Sequence, residues 1–148
     1  MTLPRPAIPV TPDFSVAPQL EPADVPALAA AGVRTVICNR PDGEAGQTPA
    51  AELQRAAEAQ GLGFRYIPVS GGGMTLENVE EMAQTLAGTP GPHLAYCRSG
   101  TRSINLWALA EAGRRSPVEM IEAAAAAGYD LRPLRDLLDQ RAAQSRAG

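Results

Sequence analysis

One short stretch of the chain combines a cysteine, two arginines and small hydroxyl residues, a set that could bind and attack an anion. It is the loop of residues 97–103, which reads Cys-Arg-Ser-Gly-Thr-Arg-Ser. An apolar run, 94–96, precedes it, and a helical pattern follows from Ile104. Backbone N–H groups of such a loop and of a helix N-terminus point at one spot, so they stabilise a thiolate and an oxyanion beside it. Arg102 adds a planar, permanently charged fork for the same anion.

The two cysteines of the chain stand in different surroundings. Cys38 lies in the β-branched run 33–38, where the pattern predicts a small, inert core residue. Cys97 lies at a strand-to-helix junction, where thiols are more often exposed and activated. Two cysteines are too few for a disulfide framework, and their spacing fits no zinc site. We therefore expect Cys97 to be the reactive thiol, in a site without metal.

Short apolar runs alternate with helical patterns along the chain. Strands are predicted at 14–16, at 33–38, at 64–69 and in the run that ends at Cys97. Helices are predicted from residue 21 up to a closing Gly32, at about 49–60 with Thr48 as N-cap, and from Thr75 as N-cap to about 86. Three more are predicted at 103–112, from Ser116 to 127 and at about 131–143. This alternation predicts an α/β fold, with a mostly parallel central sheet of about four or five strands flanked by helices.

The predicted sheet brings three loops together. The carboxyl ends of parallel strands meet at one edge, where ligands bind, and the loops 39–46, 70–74 and 97–103 all follow such ends. The first dozen residues contain four prolines, so 1–12 is predicted to be an extended arm outside the sheet interior. Residues 13–148 are predicted to form a single domain, because the length of 148 residues is typical of one.

The composition excludes several classes of protein. A chain with 45% hydrophobic and 20% charged residues is an ordinary globular protein. Its formal charge of −3 provides no electrostatic surface for nucleic acid. No apolar run approaches the roughly 20 residues that cross a bilayer, and the proline-rich start carries no signal-peptide core. We expect a cytoplasmic protein without a membrane or nucleic-acid partner.

The loop 97–103 resembles the active-site loops of two enzyme groups that share a cysteine thiolate and an oxyanion-binding backbone. Protein tyrosine and dual-specificity phosphatases have five residues between the cysteine and the arginine, whereas rhodanese-type sulfurtransferases have a shorter loop. Four residues separate Cys97 from Arg102, which is the sulfurtransferase length. A smaller loop suits a single transferable sulfur better than a tetrahedral phosphoryl group.

The remainder of the chain is more similar to the phosphatases. With residues 14–16 and 36–44 added to the loop, the chain resembles the bacterial beta-lactamase hydrolase-like, phosphatase-like family. This resemblance implies a protein tyrosine phosphatase-like fold. Members of the family are described both as phosphatase-like hydrolases and as sulfurtransferases, so the resemblance implies a thiolate enzyme and leaves its reaction open.

The resemblance also implies roles for individual residues. Cys97 would be the nucleophile, Arg102 the anion-binding side chain, and the Ser103 hydroxyl a hydrogen-bond donor to the thiolate. Backbone N–H groups would bind the oxyanion; they belong to Arg98, Ser99, Gly100, Thr101 and Arg102. Arg40 either binds the substrate anion from the rim or pairs with a carboxylate of its own loop.

Two positions depart from the phosphatase pattern. Tyr96 stands where phosphatases have histidine, and the only histidine, His93, lies roughly 13 Å away along the strand. The loop 70–74 contains no acid to protonate a leaving oxygen, a contribution of about 10²–10⁴ in rate. Asp42 is the best substitute as general acid and Glu44 the next, although both residues also suit a turn.

Sulfur transfer and phosphate-ester hydrolysis both fit these residues. Sulfur transfer through a persulfide on Cys97 needs no protein acid, so the sequence places it slightly ahead. The alternative is hydrolysis through a cysteinyl-phosphate, and a further alternative is a module that binds oxyanions without turnover. A redox sensor is a fourth interpretation, in which Cys38 would resolve an oxidised Cys97. Both enzymatic interpretations predict a small anionic substrate and no cofactor. Sulfur transfer also predicts a thiol acceptor.

Overall fold

A central five-stranded sheet organises the computed structural model, which describes residues 3–147. The strands are β1 (Ile8–Thr11), β2 (Phe14–Ala17), β3 (Thr35–Cys38), β4 (Gly63–Tyr66) and β5 (His93–Tyr96). Their order across the sheet is β1-β2-β5-β3-β4, and only β1 runs antiparallel to its neighbour. The predicted α/β fold with a mostly parallel sheet is therefore confirmed.

Six helices cover the two faces of the sheet. They are α1 (Val25–Ala30), α2 (Ala50–Ala59), α3 (Leu76–Gly88), α4 (Thr101–Glu111), α5 (Pro117–Ala126) and α6 (Arg135–Ala147), with short 3₁₀ turns at Pro22–Asp24 and Arg132–Leu134. Apolar residues of α1 and α2 pack on one face, and those of α3 to α6 pack on the other. Trp107 of α4 is a core residue, as expected, because its ring stacks on Phe14 at a centroid distance of 5.1 Å.

The proline-rich start contributes an edge strand. Residues 1–12 were predicted to be an extended arm outside the interior of the sheet, and Ile8–Thr11 of this segment forms the edge strand β1. Pro9 lacks an N–H donor, and an edge strand tolerates proline because one side of its backbone needs no ladder hydrogen bond. Proline therefore limited this segment to the sheet edge without excluding it from the sheet.

Two helix starts show how tertiary contacts modify local signals. The predicted cap of α3 is confirmed, since Thr75 Oγ1 accepts from the Asn78 N–H while Asn78 Oδ1 accepts from the Thr75 N–H. The prediction that Thr48 caps α2 is wrong. The Thr48 hydroxyl donates to Glu21, and the Ala50 N–H at the start of α2 donates to Asp42 instead.

The sheet order places residue 97 at the centre of the carboxyl edge. β5 lies between β2 and β3, where Tyr96 is in register with both Ala17 and Cys38. The segments that follow β2 and β3 therefore flank the start of the loop 97–103. Between residues 3 and 147, none of the helices is both long enough and apolar enough to cross a membrane.

Candidate active site

Cys97 lies on the floor of the loop 97–103. Its Sγ accepts a hydrogen bond from the Gly100 N–H at 3.1 Å, and its own N–H donates to Ala17 O at 3.3 Å. The loop ends where α4 begins at Thr101, so the N-terminus of that helix adjoins the sulfur. Cys97 is 1% exposed, in contrast to the exposed thiol expected at such a junction, because the loop folds over it. The donated N–H and the helix end both direct partial positive charge at the sulfur.

Tyr129 supports the loop from outside, and the sequence analysis did not identify it. Its hydroxyl donates to Ser99 O at 2.8 Å. Burial raises the pKa of Tyr129, and the nearby Cys97 adds to this effect. Gly100, with a φ of +94°, lies against the Tyr129 ring. Thirty residues separate Tyr129 from Ser99, so no local pattern could have linked it to the loop.

Arg102 is held at the other end of the loop. Its Nη1 donates to Glu44 Oε2 and to Val69 O, both at 2.8 Å, and its Nη2 donates to Glu44 Oε1 at 2.9 Å. The hydrogen bonds with Glu44 raise the pKa of Arg102, and the nearby Cys97 adds to this effect. Its guanidinium thus remains charged beside the thiol, as an anion-binding side chain requires.

Glu44 is an ion-pair partner of two arginines. Besides Arg102, it accepts from Arg40 Nε at 3.0 Å. The hydrogen bonds from Arg102 and then from Arg40 lower the pKa of Glu44 to about 2. A carboxyl with this pKa has no proton to donate near neutral pH, so these contacts do not support Glu44 as a general acid.

Asp42, the first-ranked substitute for a general acid, is engaged in a structural contact. Its Oδ1 accepts from the Ala50 N–H at 2.8 Å and from the Gln47 amide. The Asp42 backbone N–H donates to the Tyr66 hydroxyl at 2.9 Å. These bonds make Asp42 the side chain that caps α2. The structure therefore supports the turn role of Asp42 over proton transfer.

Arg40 is not a rim residue. It is 3% exposed, and its guanidinium donates to Glu44, to Gln19 Oε1 and to Ala45 O. Of the two interpretations given for Arg40, the structure shows the pairing with a carboxylate of its own loop, Glu44. The buried guanidinium does not line the rim where a substrate anion would be contacted directly. A buried guanidinium needs these acceptors because leaving it unpaired would be costly.

The other loop residues divide into a buried and an exposed group. Ser103 is fully buried, and its Oγ has no hydrogen-bond partner among the described residues, so it is free to donate to a thiolate. Arg98, Ser99 and Thr101 are exposed, and the Ser99 hydroxyl donates to Thr101 Oγ1 at 3.0 Å. Within residues 3–147, no cluster of three or more potential ligands could hold a metal ion.

His93 and Tyr96, the two β5 residues compared with the phosphatase histidine, are both buried. His93 begins β5, is 7% exposed and pairs through Nε2 with Thr89 Oγ1. Burial lowers the pKa of His93. Tyr96 is fully buried beside Cys38, and burial raises the pKa of both side chains. Buried neutral groups of this kind are core residues, and a thiol with a raised pKa is a poor partner for redox chemistry.

The ion pair of Glu44 makes stability depend on pH. Because the folded-state pKa of Glu44 is about 2, below its ordinary 4.5, the pairing stabilises the fold above pH 4.5 and is lost as the pH falls toward 2. We expect Glu44→Gln to lower the free energy of unfolding by about 1–2 kcal/mol at neutral pH. Urea unfolding at a series of pH values should show this difference from wild type shrinking in acid.

Glu122→Gln is the matched control for this experiment. Glu122 is an exposed glutamate of α5, and its replacement should change the free energy of unfolding by less than about 0.5 kcal/mol. A difference between Glu44→Gln and wild type that stays constant from neutral pH to pH 2 would contradict the ion-pair assignment.

β5, the central strand of the mostly parallel sheet, leads into the loop that contains Cys97, and Arg102 lies in the first turn of α4. Solved structures with this fold are protein tyrosine phosphatase-like phosphatases, and the chain shares that fold. More specifically, the chain belongs to the family described as Beta-lactamase hydrolase-like protein, phosphatase-like domain, whose model matches residues 8–114.

Individual relatives agree with this assignment. A Beta-lactamase hydrolase-like protein of Agrobacterium fabrum is 35% identical over 128 residues, which are 84% of this chain and 30% of the relative. One of Xylella fastidiosa is 34% identical over 121 residues, covering 80% of this chain and 28% of the relative. The chain thus spans less than a third of the length of these curated relatives.

A solved structure extends the comparison to three dimensions. A protein of Neisseria meningitidis described as a putative phosphatase superposes with a TM-score of 0.78 at 35% identity. The match covers 90% of this chain and 96% of the Neisseria chain. The two proteins therefore share this fold over most of both chains.

Proposed function

We propose that the chain is a cysteine-dependent phosphatase that hydrolyses an activated phosphate ester at Cys97. The observation that carries the proposal is the hydrogen bond from the Gly100 N–H to Cys97 Sγ, inside a loop that also holds the charged Arg102. The similarity in fold and sequence to the Neisseria protein supports a phosphoryl substrate. The loop length had placed sulfur transfer ahead of phosphate-ester hydrolysis. We now rank hydrolysis first, because the comparisons with known proteins lend sulfur transfer no support.

The proposed reaction has two steps. The Cys97 thiolate attacks phosphorus, an S–P bond forms, and the P–O bond to the leaving group breaks with its electron pair on oxygen. Water then attacks the cysteinyl-phosphate, the S–P bond breaks, inorganic phosphate leaves and the thiolate returns. Loop N–H groups and Arg102 stabilise the charge on the transferred oxygens in both steps.

The surroundings of the site favour a leaving group that needs little protonation. Asp42 caps a helix, and Glu44 is ionised by its two arginine partners. A leaving oxygen would therefore depart as a stable anion, as it does from an aryl phosphate. We propose a small anionic phosphate ester of this kind as the substrate and, following the sequence-based expectation, a cytoplasmic location.

Sulfur transfer is the second candidate, and the same contacts favour it. A sulfane-sulfur donor releases a stable anion that needs no proton. Sulfur transfer therefore does not require Asp42 or Glu44 as a general acid. The four-residue spacing between Cys97 and Arg102 also has the rhodanese length. In this reaction the thiolate attacks the sulfane sulfur, the S–S bond of the donor breaks, and the persulfide passes its outer sulfur to a thiol or another nucleophile.

One pair of assays separates the candidates. The protein is incubated with 4-nitrophenyl phosphate, and separately with thiosulfate plus cyanide; free phosphate, thiocyanate and the intact mass of acid-quenched protein are measured. We expect phosphate release and a phosphoryl group trapped on Cys97. Thiocyanate formation with one added sulfur and no phosphate release would establish sulfur transfer instead. Inactivity in both assays, together with oxyanion binding, would identify a binding module.

A further inference from the structure

Arg40 is a permanently charged side chain enclosed by the protein. It is 3% exposed, whereas the exposed Arg98 lies on the loop itself. Removing a guanidinium from water is costly unless its N–H groups find acceptors. The acceptors of Arg40 therefore show what the buried charge holds together.

Three nitrogens of Arg40 reach three residues in two different segments. Nε donates to Glu44 Oε1 at 3.0 Å, Nη1 donates to Gln19 Oε1 at 3.0 Å, and Nη2 donates to Ala45 O at 2.7 Å. Gln19 follows β2, whereas Glu44 and Ala45 follow β3. Arg40 thus ties together the two segments that flank the cysteine loop on either side of β5.

One branch of this network leads to Arg102. Glu44 Oε1 accepts from both Arg40 and Arg102, and Glu44 Oε2 accepts from Arg102 Nη1. The second Nη1 hydrogen of Arg102 goes to Val69 O. These bonds occupy the Nη1–Nη2 end of the Arg102 guanidinium. Its Nε–H and second Nη2–H, which form the adjacent side, donate to no oxygen of the described residues and form a fork for an oxyanion.

The other branch leads to the start of the loop. Gln19 presents Oε1 to Arg40 and donates its backbone N–H to Arg98 O at 3.4 Å. Its amide nitrogen donates to Leu20 O at 2.7 Å, which fixes the side-chain orientation. Arg40 is therefore connected through Gln19 to Arg98 and through Glu44 to Arg102.

We propose that Arg40 is a positioning residue that holds the cysteine loop in its anion-binding shape, through Glu44 to Arg102 and through Gln19 to Arg98. This inference rests on one part of the proposed function, the binding of an oxyanion by the loop, and does not depend on which reaction follows. Arg40 itself contacts no substrate. Its charge keeps Glu44 ionised and oriented, and Glu44 keeps the free side of Arg102 available for the anion.

A double-mutant cycle with tungstate, an unreactive oxyanion, tests this inference by isothermal titration calorimetry. In the wild-type background we expect Arg40→Met to weaken tungstate binding about tenfold. In the Arg102→Ala background the same change should cost less than about threefold, because the side chain that Arg40 positions is gone. Glu44→Gln replaces the carboxylate with an amide of the same size, and its effect on tungstate affinity should likewise be smaller in the Arg102→Ala background. This variant takes the place of Arg40→Met if that protein does not fold.

Arg55→Met is the matched control, because Arg55 is an exposed arginine of α2. It should leave tungstate affinity unchanged in both backgrounds. Equal losses from Arg40→Met, or from Glu44→Gln, in the two backgrounds would overturn the positioning role and leave the hydrolase proposal standing. Conversely, a wild-type protein that binds tungstate, shows the coupling and releases no phosphate would contradict the hydrolase alone. A wild-type protein that binds no tungstate would overturn both.

Discussion

Cys97→Ser should abolish phosphate release from 4-nitrophenyl phosphate while leaving tungstate affinity within a few-fold of wild type. Loss of a covalent nucleophile typically costs about 10⁴-fold or more in kcat. The serine hydroxyl is a far weaker nucleophile than a thiolate that accepts the Gly100 N–H. The backbone donors and Arg102 are unchanged, so the anion should still bind. Steady-state kinetics and calorimetry on the same preparation measure both quantities.

Cys38→Ser is the matched control for this experiment. Cys38 is equally buried, and its Sγ donates to Arg40 O at 3.3 Å, a bond that a serine hydroxyl could also make. Turnover should remain within a few-fold of wild type, because Cys38 belongs to the core cluster of β3 and α2. Turnover that survives in Cys97→Ser would exclude Cys97 as the nucleophile. An equal loss in Cys38→Ser would indicate damage to the fold or a shared role.

Gly100→Ala should have the second largest effect, on both stability and turnover. Gly100 has a φ of +94°, a conformation that costs an L-residue about 1–2 kcal/mol. A Cβ at this position would also collide with the Tyr129 hydroxyl and lie 3.0 Å from its Cζ. Relieving the collision would displace the N–H that donates to Cys97 Sγ. We expect the free energy of unfolding to fall by more than about 2 kcal/mol and kcat/KM to fall at least about 10²-fold.

Two further variants separate backbone strain from the collision. Gly32→Ala introduces a Cβ at a φ of +104° with no atom within 4 Å, so it should lower the free energy of unfolding by strain alone and leave kcat/KM unchanged. Adding Tyr129→Phe to Gly100→Ala removes the hydroxyl and should recover part of the lost activity. If Gly100→Ala and Gly32→Ala behave alike in unfolding and kinetics, Tyr129 does not shape the loop.

Local signals in the sequence predicted much of the scaffold. The β-branched run around Val36 and the apolar run before Cys97 both form strands, since a buried parallel strand needs only a short, continuous apolar segment. Thr75 is the N-cap of α3 as predicted, and Asn78 completes a capping box with it because both partners lie within one helical turn. Such features depend on residues close in the chain, which is why the sequence reveals them.

The contacts within the candidate active site could not be predicted as well from the sequence. Asp42, Glu44 and Arg40 share one turn-rich loop, and nothing in their spacing shows which carboxylate caps a helix, which pairs with Arg102 or which arginine is buried. Arg40 and Arg102 bind side chains 21 and 58 residues away, which the sheet order brings close. Asp42 caps α2 only eight residues along the chain, but the other carboxylate of its loop was an equally local choice.

The same division applies to the cysteine loop itself. Its sequence alone determined that residue 97 would leave a strand, enter a glycine-containing loop and meet a helix N-terminus, because each step depends on local backbone preferences. Only the tertiary structure decided that Cys97 lies buried on the loop floor, that Tyr129 covers Gly100 and that Glu44 holds Arg102. Those contacts arise from chain segments that meet only when β5 is inserted between β2 and β3, so the physical reason is topology and not composition.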